Sequence, residues 1–444
     1  MNTIRKIEKI LLLSVFLIIS VSVSAQEGAY GAYSPYSIFG IGDISKEGTA
    51  YNKSMGGTGI ATRNKRFINY LNPAAVTARD SLSFMADFGL AQNNKLFAQG
   101  DIRSGNNTFN IYDFVMTFPI WRSSAFMVGI TPFSDVGYDF SSIETNPEII
   151  GNTGNISYDS YGTGSVYQAF VGAGVTFWKK LSVGAEMIYY FGNLDKLTDM
   201  NYSDNSYRSL NSGSEISLSG VTGKFGLQFE QKIGGNVSMT VGATYRLGTN
   251  VKGYSTTFSY ANQSTVSDTL KYSVDTLAKA GMKFGDEIGL GISFKGGEQW
   301  SAEFNYLRSD WRNTGIDRVQ GFAVSGTSKF TATVSDSFRA GFEITPNRND
   351  IRSYLKRCSY RAGLYYDKSY YKLDGNSVNS MGLTLGLTLP IETDNSYGRH
   401  NGISLGVDIG QKGSVRNNMI MERYVMFVIG FNIHDLWFIK NQYK

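Results

Sequence analysis

A single cysteine, Cys358, in 444 residues excludes an internal disulfide, so no covalent cross-link holds this fold. Two histidines, His400 and His434, leave little for a nucleophile–base pair, and no His, Cys and carboxylate cluster has zinc spacing. Beyond residue 23 no apolar run approaches the ~20 residues of a spanning helix. Charged residues make up 18% of the chain, and the net charge of +5 is spread too evenly to suggest a nucleic-acid partner. Proline is scarce, with 7 residues, so a continuous secondary structure is rarely interrupted. What the chain has instead is 50 Gly, 28 Tyr and 28 Phe. That composition suits amphipathic strands with aromatic residues at an interface.

Alternation carries the fold. Along Val237–Leu247, Val237, Met239, Val241, Ala243, Tyr245 and Leu247 share one face, and Ser238, Thr240, Gly242, Thr244 and Arg246 the other. Met381, Leu383, Leu385, Leu387 and Leu389 alternate in the same way with Gly382, Thr384, Gly386 and Thr388. A period of two is a strand with one apolar and one polar face. A water-soluble sandwich would alternate too, but here many long strands keep one face continuously apolar. The pattern points to an all-β transmembrane antiparallel barrel with its apolar side toward lipid.

The amino terminus fits that destination. Arg5, Lys6 and Lys9 precede an apolar run from Ile10 to Val23, and Val23-Ser24-Ala25 offers a small-residue cleavage site. This is a signal-peptide layout over 1–25, with cleavage expected near Ala25. Its three basic residues and one acidic residue leave the mature chain at +3. About fourteen strands follow over 81–444, among them Gly164–Trp178, Asn236–Tyr254 and Lys279–Lys295. An even count puts both barrel ends at the periplasm. The tight turns at Trp178–Leu181, Gly234–Asn236 and Gly296–Glu298 are expected there, with longer loops such as Thr198–Ser212, Ser255–Leu277 and Thr314–Thr327 outside. The last strand alternates through Val425, Phe427, Ile429, Phe431 and Ile433. The Trp437-Phe438 tail behind it is expected at the inner interface.

Residues 26–80 are not strand-like. They hold Ser34-Pro35-Tyr36-Ser37-Ile38-Phe39-Gly40-Ile41-Gly42-Asp43, then Met55-Gly56-Gly57-Thr58-Gly59-Ile60-Ala61, then Asn72-Pro73-Ala74. Glycines let a chain fold tightly in a narrow space, while Asn72 and Pro73 make a rigid turn. A nucleotide-binding fingerprint is excluded, because Thr62 stands where the third glycine belongs and no βαβ unit surrounds it. Across this stretch the chain resembles the FadL/TodX family of outer-membrane transporters for hydrophobic compounds. Its S-P-Y-S-x-F-G-x-G-D opening is similar to that of FadL-like proteins of the Bacteroidota. The resemblance implies an N-terminal hatch plugging the lumen, in which Gly56, Gly57, Gly59, Asn72, Pro73 and Ala74 occupy the family's motif positions.

Pro132, in the third expected strand, cannot donate a ladder hydrogen bond, and a closed barrel has no edge to hide it on. It predicts a bulge or break at Thr131, Pro132, Phe133 and Ser134. The family resemblance implies a lateral gate there. The charges Glu186, Lys224, Glu230, Arg246, Glu303, Arg339, Glu343 and Arg361 are expected to face inward and hold the hatch or line the lumen. The overall expectation is a non-enzymatic monomer without cofactor or metal. Its partners would be outer-membrane lipid and a hydrophobic small molecule that leaves through the wall. The alternative is a PorV-like component of type IX secretion, with secreted proteins or lipoproteins as partners.

Overall fold

The computed structural model describes residues 31–79, 82–121, 123–204, 206–263, 266–322, 329–391 and 400–436. The expected signal peptide and the Trp437-Phe438 tail lie outside the described residues. Alternating segments form fourteen wall strands. The first six are β1 (Ser83–Gln99), β2 (Ile102–Trp121), β3 (Ser124–Ile143), β4 (Ile156–Phe177), β5 (Leu181–Tyr202) and β6 (Ser209–Gly234). Two interrupted strands come next: β7 (Val237–Arg246, then Lys252–Gln263) and β8 (Val266–Thr276, then Asp286–Gly296). The wall continues with β9 (Trp300–Asp310), β10 (Phe330–Ala332, then Val334–Ile344) and β11 (Ser359–Leu373). It ends with β12 (Asn376–Ile391), β13 (Asn401–Lys412) and β14 (Met421–Leu436). Sequential neighbours are antiparallel, and β14 pairs with β1 from Leu436↔Ser83 to Met421↔Ala98, which closes the barrel.

Side-chain burial follows the two-residue period. In β7, Val241 and Tyr245 are exposed on the outer face while Thr240, Thr244 and Arg246 are buried inside. In β12, Met381, Leu383 and Leu385 face out and Thr384 and Thr388 face in. Outer apolar side chains left uncovered by protein are what a bilayer covers. Trp121 and Trp178 stand exposed at the end of the barrel that carries both of its termini, in keeping with an interfacial aromatic position.

Several expected boundaries move. The wall is taller than alternation suggests on one side, because β4, β5 and β6 run for 22, 22 and 26 residues. Thr198–Ser212 is mostly strand, and Ser255–Leu277 is a hairpin joining β7 to β8 rather than a loop. Polar residues such as Thr256 and Thr276 interrupt the outer row that holds Leu270, Tyr272 and Val274, and beyond the bilayer neither face needs to be apolar. Turn length does not sort the two ends either. Gly100–Asp101 and Asp374–Gly375 are two-residue turns at the far end, where positive φ at Gly100, Asp374 and Gly375 makes the reversal possible. A longer connection with a helical turn at Tyr354–Arg357 lies at the terminal end.

An arginine on the outer face tests the assignment of the wall to lipid. Leu385→Arg should destabilise the barrel by about 2–4 kcal/mol if it sits near the bilayer midplane. Denaturant unfolding in lipid vesicles reads this directly, and a near-neutral effect would contradict a lipid-facing β12.

Candidate functional site

Residues 31–79 fold inside the barrel, and the wall is shaped to admit them. A Cβ added at Gly184 on β5 or at Gly226 on β6 would fall under 3.0 Å from Pro73 or Asn72. The same holds for Gly242 on β7 against Ile60 and for Gly341 on β10 against Met55. Gly363 on β11 is as close to Gly56, and Gly430 on β14 to Ala50. Several of these glycines are direct cross-strand partners: Gly184 with Gly226, Gly242 with Gly291, and Gly341 with Gly363. The wall thus presents bare backbone to the inner segment around most of its circumference. These glycines were not expected as site residues. Their signal was the repeated placement of glycine on the polar face of otherwise long-side-chain strands.

The expected inner residues lie where the segment touches the wall. Gly56 and Gly57 have φ of 69° and 78°, a left-handed turn that carries the chain past β10 and β11. Gly59 is packed between Asn52, Asn69 and Leu71 with no room for a side chain. Asn72 caps the short helix Pro73–Thr77, its Oδ1 accepting from the Ala74 N–H at 3.0 Å. Its amide donates to the carbonyls of Ile60 (2.7 Å) and of Leu227 on β6 (3.2 Å). Pro73 and Ala74 are buried against β5 and β6.

Buried charges complete the hold. The Glu303 carboxylate accepts from the Ala61 N–H at 2.7 Å and from the Thr62 hydroxyl. Glu47, from the inner segment, is paired with Lys224 at 3.4 Å and with Arg246 at 3.0 Å. Lys46 reaches Asp408 at 3.0 Å, and Asp43 pairs with Lys412. Arg361, paired with Glu343 at 2.7 Å, covers the rings of Tyr51 and Phe67. Arg339 donates to the Gly57 carbonyl, and Glu230 pairs with Arg63 near the terminal end. Glu186 is buried inside the wall as well. All eight expected inward charges therefore point into the lumen. Lys224, Arg246 and Arg339, with Lys46, Glu47 and Asp408, line a charged chamber of about 340 Å³.

Beyond this chamber the lumen is filled. Phe133, Tyr190, Phe284, Trp311, Tyr370 and Tyr371 are buried in one aromatic cluster with ring centroids 4.7–5.9 Å apart. Offset and edge contacts at these separations favour a tight apolar stopper. Its Phe284 and Trp311 come from chain that leaves the wall, between the two halves of β8 and after β9.

The third wall strand is irregular where Pro132 predicts it. The β2–β3 ladder runs from Trp121↔Ser124 to Phe114↔Ile130 and stops. Beyond that point β3 keeps β4 on one side, with a register shift between Pro132 and Ser134. On its other side Ser134 and Asp135 pair with Ile44 and Asp43 of the inner segment. Phe133, at the shift, turns inward into the aromatic cluster, and residues 131–138 are all buried. Thr131 accepts from the Gln168 amide at 3.0 Å. An outer groove of about 420 Å³, lined by Phe109, Ile111, Phe114, Ile130 and Tyr167, runs beside the parting. It shares Asn110, Tyr112 and Pro132 with the lining of the inner chamber.

Other expected chemistry is peripheral. His400 and His434 lie near the terminal end with rings 5.3 Å apart. Cys358 is buried immediately before β11. Among the described residues no group of three or more His, Cys, Asp or Glu side chains is placed to hold a metal.

A model of the BamG family matches residues 4–444. The chain belongs to the BamG family. Sequence comparison with curated proteins gives no match. Among solved structures, this BamG-family barrel is similar to the Ralstonia pickettii toluene transporter TbuX, at 16% identity and a TM-score of 0.57 over 87% of this chain and 98% of that one. It is similar to the Pseudomonas putida toluene transporter TodX at 14% and 0.54, over 90% and 100% of the two chains. A Pseudomonas aeruginosa FadL homologue matches at 9% and 0.53, over 88% and 98%. At these identities the likeness establishes the fold alone: a closed, fourteen-stranded antiparallel barrel like those of the FadL and TodX structures.

Two predictions follow from the way the inner segment of this BamG-family chain is held. Gly226→Val would drive a side chain into Asn72 and Pro73, whereas Gly223, on the same strand, has nothing nearer than 3.7 Å to a new Cβ. Limited proteolysis of the refolded barrel should cut residues 31–79 faster in Gly226→Val and leave Gly223→Val like wild type. Equal rates for all three would mean the glycine contact does not hold the segment.

The second concerns acid. Burial pushes the Glu47 carboxyl up, but Lys224 and Arg246 outweigh it and draw it from 4.5 down to about 2. Folding therefore favours the ionised form. The stability it contributes is complete above pH 4.5 and is lost as the pH falls through about 2. Thermal unfolding in detergent should show Glu47→Gln less stable than wild type at neutral pH, with the difference shrinking across that acid window. A difference independent of pH would remove the ion pair as its cause.

Proposed function

We propose that this barrel passes hydrophobic small molecules through its wall, between β2 and β3, rather than along its axis. The carrying observation is the end of the β2–β3 ladder at Phe114 and Ile130, with Pro132 beside it and the inner segment taking the vacated pairing positions. An apolar molecule held in the outer groove would meet residues that also line the inner chamber, while the aromatic stopper obstructs the axial route. The similarity to proteins described as toluene transporters supports a hydrophobic cargo. In this reading residues 26–80 act as a hatch and Thr131–Ser134 as the gate. Lipid and cargo are the partners of a monomer released from its signal peptide near Ala25. The S-P-Y-S opening further suggests a Bacteroidota-type member.

A second reading, a PorV-like barrel that binds exported proteins, is favoured by one observation. Strands of 22–26 residues rise far beyond the 9–11 or so that cross a bilayer, giving a broad protein surface outside it. Pro132→Val separates the two readings, since it supplies a backbone N–H and a strand-favouring side chain at the parting. Uptake of a radiolabelled monoaromatic hydrocarbon should fall while the protein still assembles as a heat-modifiable barrel. Unchanged uptake by an assembled variant rejects the gate. Loss of function on trimming the hairpin between Ser255 and Leu277, with Pro132→Val neutral, would favour the protein-binding reading.

A further inference from the structure

A β-bulge beside the Pro132 parting turns a group of polar side chains inward. The β1–β2 register shifts between Gly89 and Leu90: Gly89 faces Asp113, Leu90 faces Ile111, and Tyr112 is the extra residue. A bulge breaks the two-residue alternation. Tyr112 and Asp113, consecutive in sequence, are therefore both buried inside the wall, at 6% and 1% exposure. They come just before Phe114, where the ladder to β3 ends. Glycine makes the space they occupy. A Cβ added at Gly89 would collide with Asp113 Oδ1, and the Tyr112 hydroxyl lies 2.6 Å from the same point. The two oxygens converge over Gly89. Asp87 lies on the same face of β1, two residues or about 7 Å along it, and its cross-strand partner on β14 is Asn432. Both are buried as well.

Among the described residues these groups lack hydrogen-bond partners: both Asp113 carboxylate oxygens, Asp87 Oδ1, the Tyr112 hydroxyl and both amide atoms of Asn432. Buried carboxylates in that condition are costly and call for a counter-charge. Lys53, at the end of the inner helical turn Ala50–Lys53, is engaged elsewhere. Its ammonium donates to the Lys46 carbonyl and lies 4.6 Å from the centre of the Tyr112 ring. Burial lowers it to about 8 despite the Asp113 charge, the reverse of what a close ion pair does. What remains is a set of oxygen donors: two carboxylates, a phenol and an amide carbonyl. Such sets suit hard cations, and calcium accepts the irregular geometry that mixed donors impose. Two carboxylates balance its charge. Ligand distances of ~2.4 Å let one ion bridge Asp87 and Asp113 when their side chains lean together. Tyr112 and Lys53 also line the charged chamber, which gives an ion a polar route to this place.

We infer that the bulge is a calcium site, with Asp113 and Asp87 as charged ligands and the Tyr112 hydroxyl and Asn432 amide oxygen as neutral ones. An ion held there ties β2 to β1 and β14 at the point where β2 loses β3. It thereby fixes the border of the parting. The inference is independent of the transport reading, because it needs β1, β2 and β14 but no cargo.

The test uses the full-length barrel in detergent, stripped with a chelator and titrated with calcium alone by calorimetry. Wild type should bind one ion per barrel. Asp113→Asn and Asp87→Asn keep the side-chain shape and should each weaken binding roughly tenfold or more, since ligand charge count sets affinity. Either one that still runs as a heat-modifiable barrel decides the point. Asp268→Asn, on the exposed hairpin between β7 and β8, should bind like wild type. Terbium, excited through tyrosine, gives a second readout. Its emission should be displaced by calcium and should drop in Tyr112→Phe, which keeps the ring and removes only the hydroxyl. Four results would overturn the proposal: no calcium binding by assembled wild type, unchanged affinity in an assembled Asp113→Asn or Asp87→Asn, equal weakening in Asp268→Asn, or terbium emission indifferent to Tyr112→Phe.

Discussion

Close backbone approach between the wall and the inner segment is the constraint on which the rest of this structure depends. A barrel of fourteen strands has a lumen too narrow to hold some fifty residues if every inward position carries a long side chain. Glycine at Gly184, Gly226, Gly242, Gly341, Gly363 and Gly430 removes that obstacle one strand at a time. Because many of these positions are opposed across the ladder, the relief runs as a belt rather than as isolated dimples. Glycine weakens a strand by its entropy and its missing side chain. Barrel closure offsets this, since each belt residue still has two strand neighbours.

With backbones this close, few polar groups of the inner segment can reach water, and the wall must satisfy them. That accounts for buried charges that would otherwise be costly. Glu303 satisfies the Ala61 N–H, and Arg246 is shared between Glu47 and Glu287. Such pairs add little net stability over an apolar filling, but breaking one partner leaves an uncompensated buried charge. Their effect is to fix one position of the segment inside a barrel that would otherwise let it slide or turn.

The parts legible in the sequence are those in which one residue's environment repeats every second position. The Val237–Leu247 face read as lipid-facing because a bilayer demands it, and the strand count came out at fourteen for the same reason. Pro132 was legible because a missing N–H has no remedy in a closed ladder. The hairpin at 255–277 was not legible, because beyond the bilayer Ser255, Thr257, Asp268 and Lys271 can alternate with anything. The aromatic stopper was equally hidden. Phe133, Phe284 and Trp311 lie far apart in sequence and would each read as an outward interfacial ring, and only the inward turn of the chain joins them. The wall glycines were visible as residues but not as a belt, since register across strands is a tertiary fact.

Both irregularities of the wall have one origin. At Pro132 and again at Asp310, a strand or its continuation gives up ladder partners where neighbouring chain is packed inside the barrel. The inner segment supplies Ile44 and Asp43 to β3 in the first case. In the second, the stretch after Asp310 carries Trp311 and Phe322 into the aromatic cluster. Filling the lumen thus takes chain from the wall, and the ladder is interrupted at both places. The first interruption is bordered on its outer face by Phe109, Ile111 and Phe114, and at the second the turn Ile316–Arg318 packs against Phe330–Ala332. A barrel that packed its lumen only with its amino-terminal segment would have the first interruption and not the second.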